Sequence, residues 1–184
     1  MTDHAAIQID RLVRRYGPTD AVNGLTLEVK PGRCYGFFGR NGAGKTTTIK
    51  CLLNLLRPTS GTVRVFGLDP RKAEVAVKSR IAYVPDHVAF YPWMTVRQTL
   101  DYFANLRGGV DRLYQQDLIA RLDVDPRRKF KEYSKGNKQK VGLVVALQHR
   151  PDLLILDEPT SGLDPLVQRT FFDIVREART EGRA

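Results

Sequence analysis

Residues 39–46 read Gly-Arg-Asn-Gly-Ala-Gly-Lys-Thr, which fits the pattern GxxxxGK[ST] in full. Few strings of eight residues constrain a fold as strongly, because the pattern works only between a strand leading in and a helix leading out. Both flanks are expected here. Residues 34–38 (Cys-Tyr-Gly-Phe-Phe) form an apolar run that predicts a strand buried on both faces. Behind the string, Ile49, Leu52, Leu53 and Leu56 recur at helical spacing, with Pro58 and Gly61 as stops. The chemistry explains the glycines. A polyphosphate is held by successive backbone N–H groups turned inward, and glycine alone brings the chain that close at positive φ. The helix then aims its positive end at the anion. Lys45 is expected to reach the terminal phosphates, and the Thr46 hydroxyl to ligate magnesium.

The rest of the chain is read around that string. Residues 6–13 and 25–29 alternate apolar and polar side chains like half-buried strands, and Pro31-Gly32 is a turn. Residues 62–66 and Ile81–Val84 predict two more strands. Thr95 followed by Gln98 is a capping box for a helix carrying Val96, Leu100 and Phe103 inward, and Gly108-Gly109 ends it. Further helices are expected over 113–122, 136–149 and Pro165–Thr180, with an apolar strand at Leu153–Leu156. Strands alternating with helices predict α/β architecture with a mainly parallel sheet. That sheet is expected to end in chemistry: Asp157 and Glu158 follow directly on Leu153–Leu156, at the strand end where open sheets of this kind bind ligands. Asp157 suits a magnesium shell, and Glu158 suits polarising an attacking water.

Composition narrows the class. A chain of 184 residues with 42% hydrophobic content forms one domain with a sizeable core. No run approaches the roughly 20 apolar residues a membrane span needs, and the opening Met1-Thr-Asp-His has no signal-peptide character, so a cytoplasmic location is expected. The two cysteines, Cys34 and Cys51, have no metal-type spacing and read as small buried hydrophobes; His4, His87 and His149 form no ligand cluster. The net charge of +10 attracts polyanions, and seven basic residues between Arg127 and Lys140 face a single acid, Glu132. Such a run is commonly a solvated face.

Beyond the phosphate loop, a set of motifs resembles the ATP-binding subunits of ABC transporters, closest to those of bacterial exporter type. Tyr133-Ser134-Lys-Gly136-Asn-Lys-Gln139 resembles the LSGGQ signature upstream of Asp157-Glu158, and Ser161-Gly-Leu-Asp164-Pro165 resembles the D-loop. Tyr16, before Ala21-Val22, matches the aromatic that stacks on adenine. The resemblance implies a P-loop, RecA-like core with an N-terminal antiparallel β subdomain. It places that core at 1–86 and 133–184, and an inserted helical subdomain at 87–132. It implies ATP and Mg2+ as cofactors. Nucleotide contacts are implied at Tyr16, Val22, Gly39, Arg40, Asn41, Gly42, Ala43, Gly44, Lys45, Thr46, Thr47, Ser134, Gly136 and Asp164. Catalytic roles fall to Glu158, Lys45 and Asp86, and magnesium to Thr46, Asp86 and Asp157. It also implies a homo- or heterodimer with ATP sandwiched between subunits, and a separate transmembrane permease docking near Phe90-Tyr91-Pro92-Trp93. A place on the inner face of the membrane follows.

Three positions depart from that pattern. Arg40 stands where Pro or a small residue is usual, Asp86 stands where Gln is usual, and Lys135 replaces the first signature Gly. The family's γ-phosphate His, carried on a strand after the last helix, has no counterpart before Ala184. A truncated chain that binds ATP but hydrolyses it poorly is therefore expected. Two other classes fit less well. An ABC-type ATPase working on nucleic acid would carry heptad segments or a second domain. A P-loop GTPase would carry Asn-Lys-x-Asp, absent here.

Overall fold

The computed structural model describes residues 5–183. His4 and the rest of the opening segment lie outside the described residues, as does Ala184. The chain divides into two compact units: one runs through Ile81 and takes in Arg179 onward, and the other is Ala82–Ala178.

In the first unit, β1 (Ile7–Tyr16) pairs antiparallel with β2 (Thr19–Val29) on one side and with β3 (Ser60–Val65) on the other, in the order β2-β1-β3. Ile7 faces Val29 and Val65, and Ile9 faces Leu27 and Val63, so the apolar alternation of β1 is what sets the register. The alternation breaks after Ile9. Arg11 bulges out at φ 46, its N–H donating to Thr26 Oγ1 at 3.1 Å, and Leu12 returns to the core. Gly61 lies opposite this bulge; a Cβ there would come within 2.3 Å of the Arg11 carbonyl oxygen. Helix α1 (Lys45–Leu52) packs against β2 and β3 through Ile49 and Leu52, and the short α2 (Glu74–Lys78) adds Val77 to the core.

Three expectations fail in this unit. Residues 34–38 form no strand: none of them enters a β-ladder among the described residues, and Cys34, Tyr35 and Phe38 are exposed, Phe38 at 93%. Apolar content alone does not make a strand, because the backbone groups need a partner to pair with. Of the two cysteines only Cys51 is buried, and burial pushes its thiol pKa up. Helix α1 also stops before Leu56. Asn54 turns left-handed at φ 56, and Leu55 N–H closes on the Lys50 carbonyl at 2.8 Å, an αL cap that ends the helix ahead of Pro58.

The second unit holds β4 (Ile81–Val84), which crosses its boundary, paired with β5 (Leu153–Leu156) in a two-stranded parallel sheet, and the helices α3 (Val96–Leu106), α4 (Arg112–Arg121), α5 (Lys135–Leu147) and α6 (Pro165–Thr180). Leu100, Leu118, Leu122, Phe130, Leu143, Leu147, Phe171 and Ile174 fill one core. Two polar side chains share it: Gln115 donates to Gln148 at 2.7 Å, both buried. The Thr95–Gln98 box forms on both sides, capping α3. Phe103 is only half-buried, and Ala104 takes the inward place assigned to it; β5 is half as buried as expected, with Leu154 and Leu156 only partly covered.

Candidate nucleotide site

In the first unit, the loop 39–44 opens α1. Gly42 and Gly44 hold φ 82 and 87. At Gly44 a Cβ would lie 2.2 Å from the Ala21 carbonyl oxygen and 3.0 Å from Val22 Cγ2. The loop therefore rests directly on β2, and this position must be glycine both for its dihedral and for its space. Ala43 N–H closes a turn on the Arg40 carbonyl at 3.0 Å, and the Lys45 ammonium donates to the Gly39 and Arg40 carbonyls at 2.6 and 3.2 Å. No side chain caps α1 and no acid occupies its first turn, so no carboxylate of that turn offsets the positive end of the helix. Thr46 is exposed, Thr47 half-buried, and Thr48 buried with its hydroxyl on the Gly44 carbonyl at 3.0 Å. Arg40 and Asn41 are exposed. Tyr16, at the hairpin tip beside Gly17, is 46% exposed, with the Arg14 guanidinium 4.6 Å over its ring.

The second unit carries the acidic strand end. Asp157 N–H extends the β4–β5 ladder by donating to the Val84 carbonyl at 2.9 Å. Glu158 follows at φ 49, a left-handed bend that a glutamate adopts only under constraint. Tyr83, which sequence reasoning passed over, senses both nearby acids: burial first, then the charges of Asp157 and Asp86, push its phenol pKa up. Its only signal in the sequence is its place three residues before Asp86.

Around this strand end, the first turn of α5 gathers two loops. Ser134 is the N-cap, its hydroxyl accepting from Asn137 N–H at 3.2 Å. Gly136 lies against the D-loop so closely that a Cβ would sit 2.2 Å from the Gly162 carbonyl oxygen. The buried Gln139 donates to the carbonyls of Pro85 and Pro159, each at 3.4 Å. Asp164 accepts from Val167 N–H at 3.0 Å ahead of Pro165, and this bond holds its carboxyl pKa below the usual value. Of the aromatic segment, Phe90 packs on Phe130 at 4.4 Å between centroids, while Tyr91 and Trp93 are 62% and 67% exposed. Within the basic run, Lys140 is buried and pairs with Asp123 at 3.4 Å, and Arg128 pairs with Glu132 at 3.6 Å.

Among the described residues no three His, Cys, Asp or Glu side chains converge as a metal cage. Magnesium at phosphate-transfer sites is bound by one or two carboxylates and draws most other oxygens from phosphate and water. In the first unit the Thr46 hydroxyl, and in the second unit the Asp157 and Asp86 carboxylates, are hard oxygen donors by type.

A glycine-lined loop opening a helix, together with a strand that ends in Asp-Glu, defines a P-loop nucleotide-binding protein. The family model described as ABC transporter matches residues 22–161. A bacitracin transport ATP-binding protein of Enterococcus faecalis is 41% identical over 87% of this chain and 53% of its own length. A Nod factor export ATP-binding protein of Paraburkholderia xenovorans is 38% identical over 97% of this chain and 60% of its own. A solved structure of an ATP-binding subunit of an ABC transporter superposes with TM-score 0.89 at 28% identity, covering 96% of this chain and 76% of that one. The chain belongs to the ABC transporter family and is similar to its ATP-binding subunits. It spans between about half and three fifths of the length of these curated relatives.

Proposed function

We propose that this chain binds Mg-ATP and, paired with a second ATP-binding subunit, drives an exporter-type ABC transporter through a separate transmembrane permease. The observation that carries this is the loop at Gly44: a turn with no room for a side chain, opening a helix with no acid in its first turn, and Lys45 at its rim. In this reading Gly39, Arg40, Asn41, Gly42, Ala43, Gly44, Lys45 and Thr47 hold the phosphates, with Val22 supporting the loop and Tyr16 stacking on adenine. Thr46, Asp157 and Asp86 supply oxygens to magnesium. Glu158 orients water for in-line attack. Ser134 and Gly136 cap the γ-phosphate of the ATP held by the other subunit, and Asp164 lines the same junction. The bacitracin and Nod factor proteins named above support export. No described helix is long and apolar enough to cross a membrane, which supports a separate permease, docked at the exposed Tyr91 and Trp93, with the chain peripheral on the inner face of the membrane.

Calorimetry with Mg-ATP tests the core claim. Wild type gives saturable heat, and Lys45→Ala weakens binding at least about tenfold, the scale of one charge-assisted phosphate contact. Saturable heat unchanged by Lys45→Ala, or no heat from folded wild type, overturns it.

A further inference from the structure

Two of the three departures from the family pattern meet in space. The Lys135 ammonium, standing where the signature has glycine, lies 3.8 Å from Asp86 Oδ1, the carboxylate standing where glutamine is usual. The same ammonium donates to Ser161 Oγ at 3.3 Å, and the other Asp86 oxygen lies 3.3 Å from His87 Nε2. One turn on, Gln139 repeats the span with the neighbouring backbone, reaching Pro85 on one side and Pro159 on the other. Lys135 and Gln139 are four residues apart and so share one helix face. That face ties together the loop after β4 and the loop after β5.

The charges explain why the two departures occur together. Lys135 is the first residue of α5, and Lys138 joins it in a first turn without an acid. A cation at a helix N-terminus opposes the macrodipole, so Lys135 there needs a counter-charge, which a neutral glutamine does not provide and Asp86 does. Conversely, aspartate is shorter than glutamine, and Lys135 stands within ion-pairing distance of one of its oxygens.

We propose that Lys135 is a positioning residue for Asp86: it holds that carboxylate in place for the magnesium-dependent step, so Asp86 and Lys135 work as one compensating pair. This rests on the ATP reading above. The pair is half-exposed on both sides, which sets a modest scale of about fivefold in rate for its coupling.

The test is a double-mutant cycle on Mg-ATP turnover by the full-length protein, using Asp86→Gln, Lys135→Gly and the two combined, with Lys135→Arg as the conservative variant. Each single change lowers kcat about fivefold with KM nearly constant, the double change loses no more than either single one, and Lys135→Arg retains most of kcat. Single losses that multiply in the double variant overturn the proposal, as does a loss confined to KM. Should Lys135→Gly fail to fold, Lys135→Met completes the same cycle. Calorimetry separates the two claims. Wild type that gives no heat with Mg-ATP defeats the ATP reading and this inference with it. Heat together with multiplied losses defeats the role of Lys135 alone.

Discussion

His149 is partly buried just past the end of α5. Its Nε2 lies 3.1 Å from the Phe103 carbonyl, and burial lowers its pKa, helped by the charge of Arg107 and opposed by that carbonyl. The folded protein therefore binds this proton less readily than the unfolded chain, whose His titrates near 6.5. Between the two values the unfolded state carries more protons, so stability rises with pH; it is complete above about pH 6.5 and is lost as pH falls toward and through the folded value. The urea midpoint should drop between about pH 7.5 and pH 5, and His149→Gln should flatten that slope. A slope untouched by the substitution would place the titrating group elsewhere. At this scale the sequence was legible wherever chemistry is written in residue type: Lys45, Thr46, Asp157 and Glu158 could be named at once. It was silent on Tyr83, and on Lys135 meeting Asp86, because those depend on which loops the fold brings side by side.

Helices were easier to read than strands, and the reason is reach. The cap of α3 is entirely local: Thr95 Oγ1 accepts from Gln98 N–H at 3.2 Å, and Gln98 Oε1 accepts from Thr95 N–H at 2.8 Å. Both partners lie within four residues, so the sequence states the bond. Thr95→Ala should cost about 1 kcal/mol in urea unfolding, with Thr95→Ser keeping most of it; equal stability in all three would show the box to be idle. Residues 34–38 carry as strong an apolar signal, yet a ladder needs a distant partner that no local pattern supplies. The five-residue α2 escaped for the opposite reason, being too short to show a period.

For the molecule as a whole, the parallel α/β class was legible from the alternation of elements, whereas the order β2-β1-β3 was not, since it joins β1 to a strand more than forty residues away. The charge of +10 belongs to this scale too. Ion pairs such as Lys140–Asp123 and Arg121–Glu177 leave it unchanged, because each takes one charge of either sign. Any retention on DNA should fall steeply between about 50 and 200 mM salt, as counterion release demands. Binding that persisted at the higher salt would argue for a nucleic-acid partner. The bend at Glu158 also has a bearing on the whole fold. At φ 49 its backbone suits asparagine or glycine better than glutamate, so the local preference of the chain and the identity of the side chain pull apart. A campaign to raise the melting temperature, blind to catalysis, would be drawn to this site early and would discard the acid proposed above to orient water.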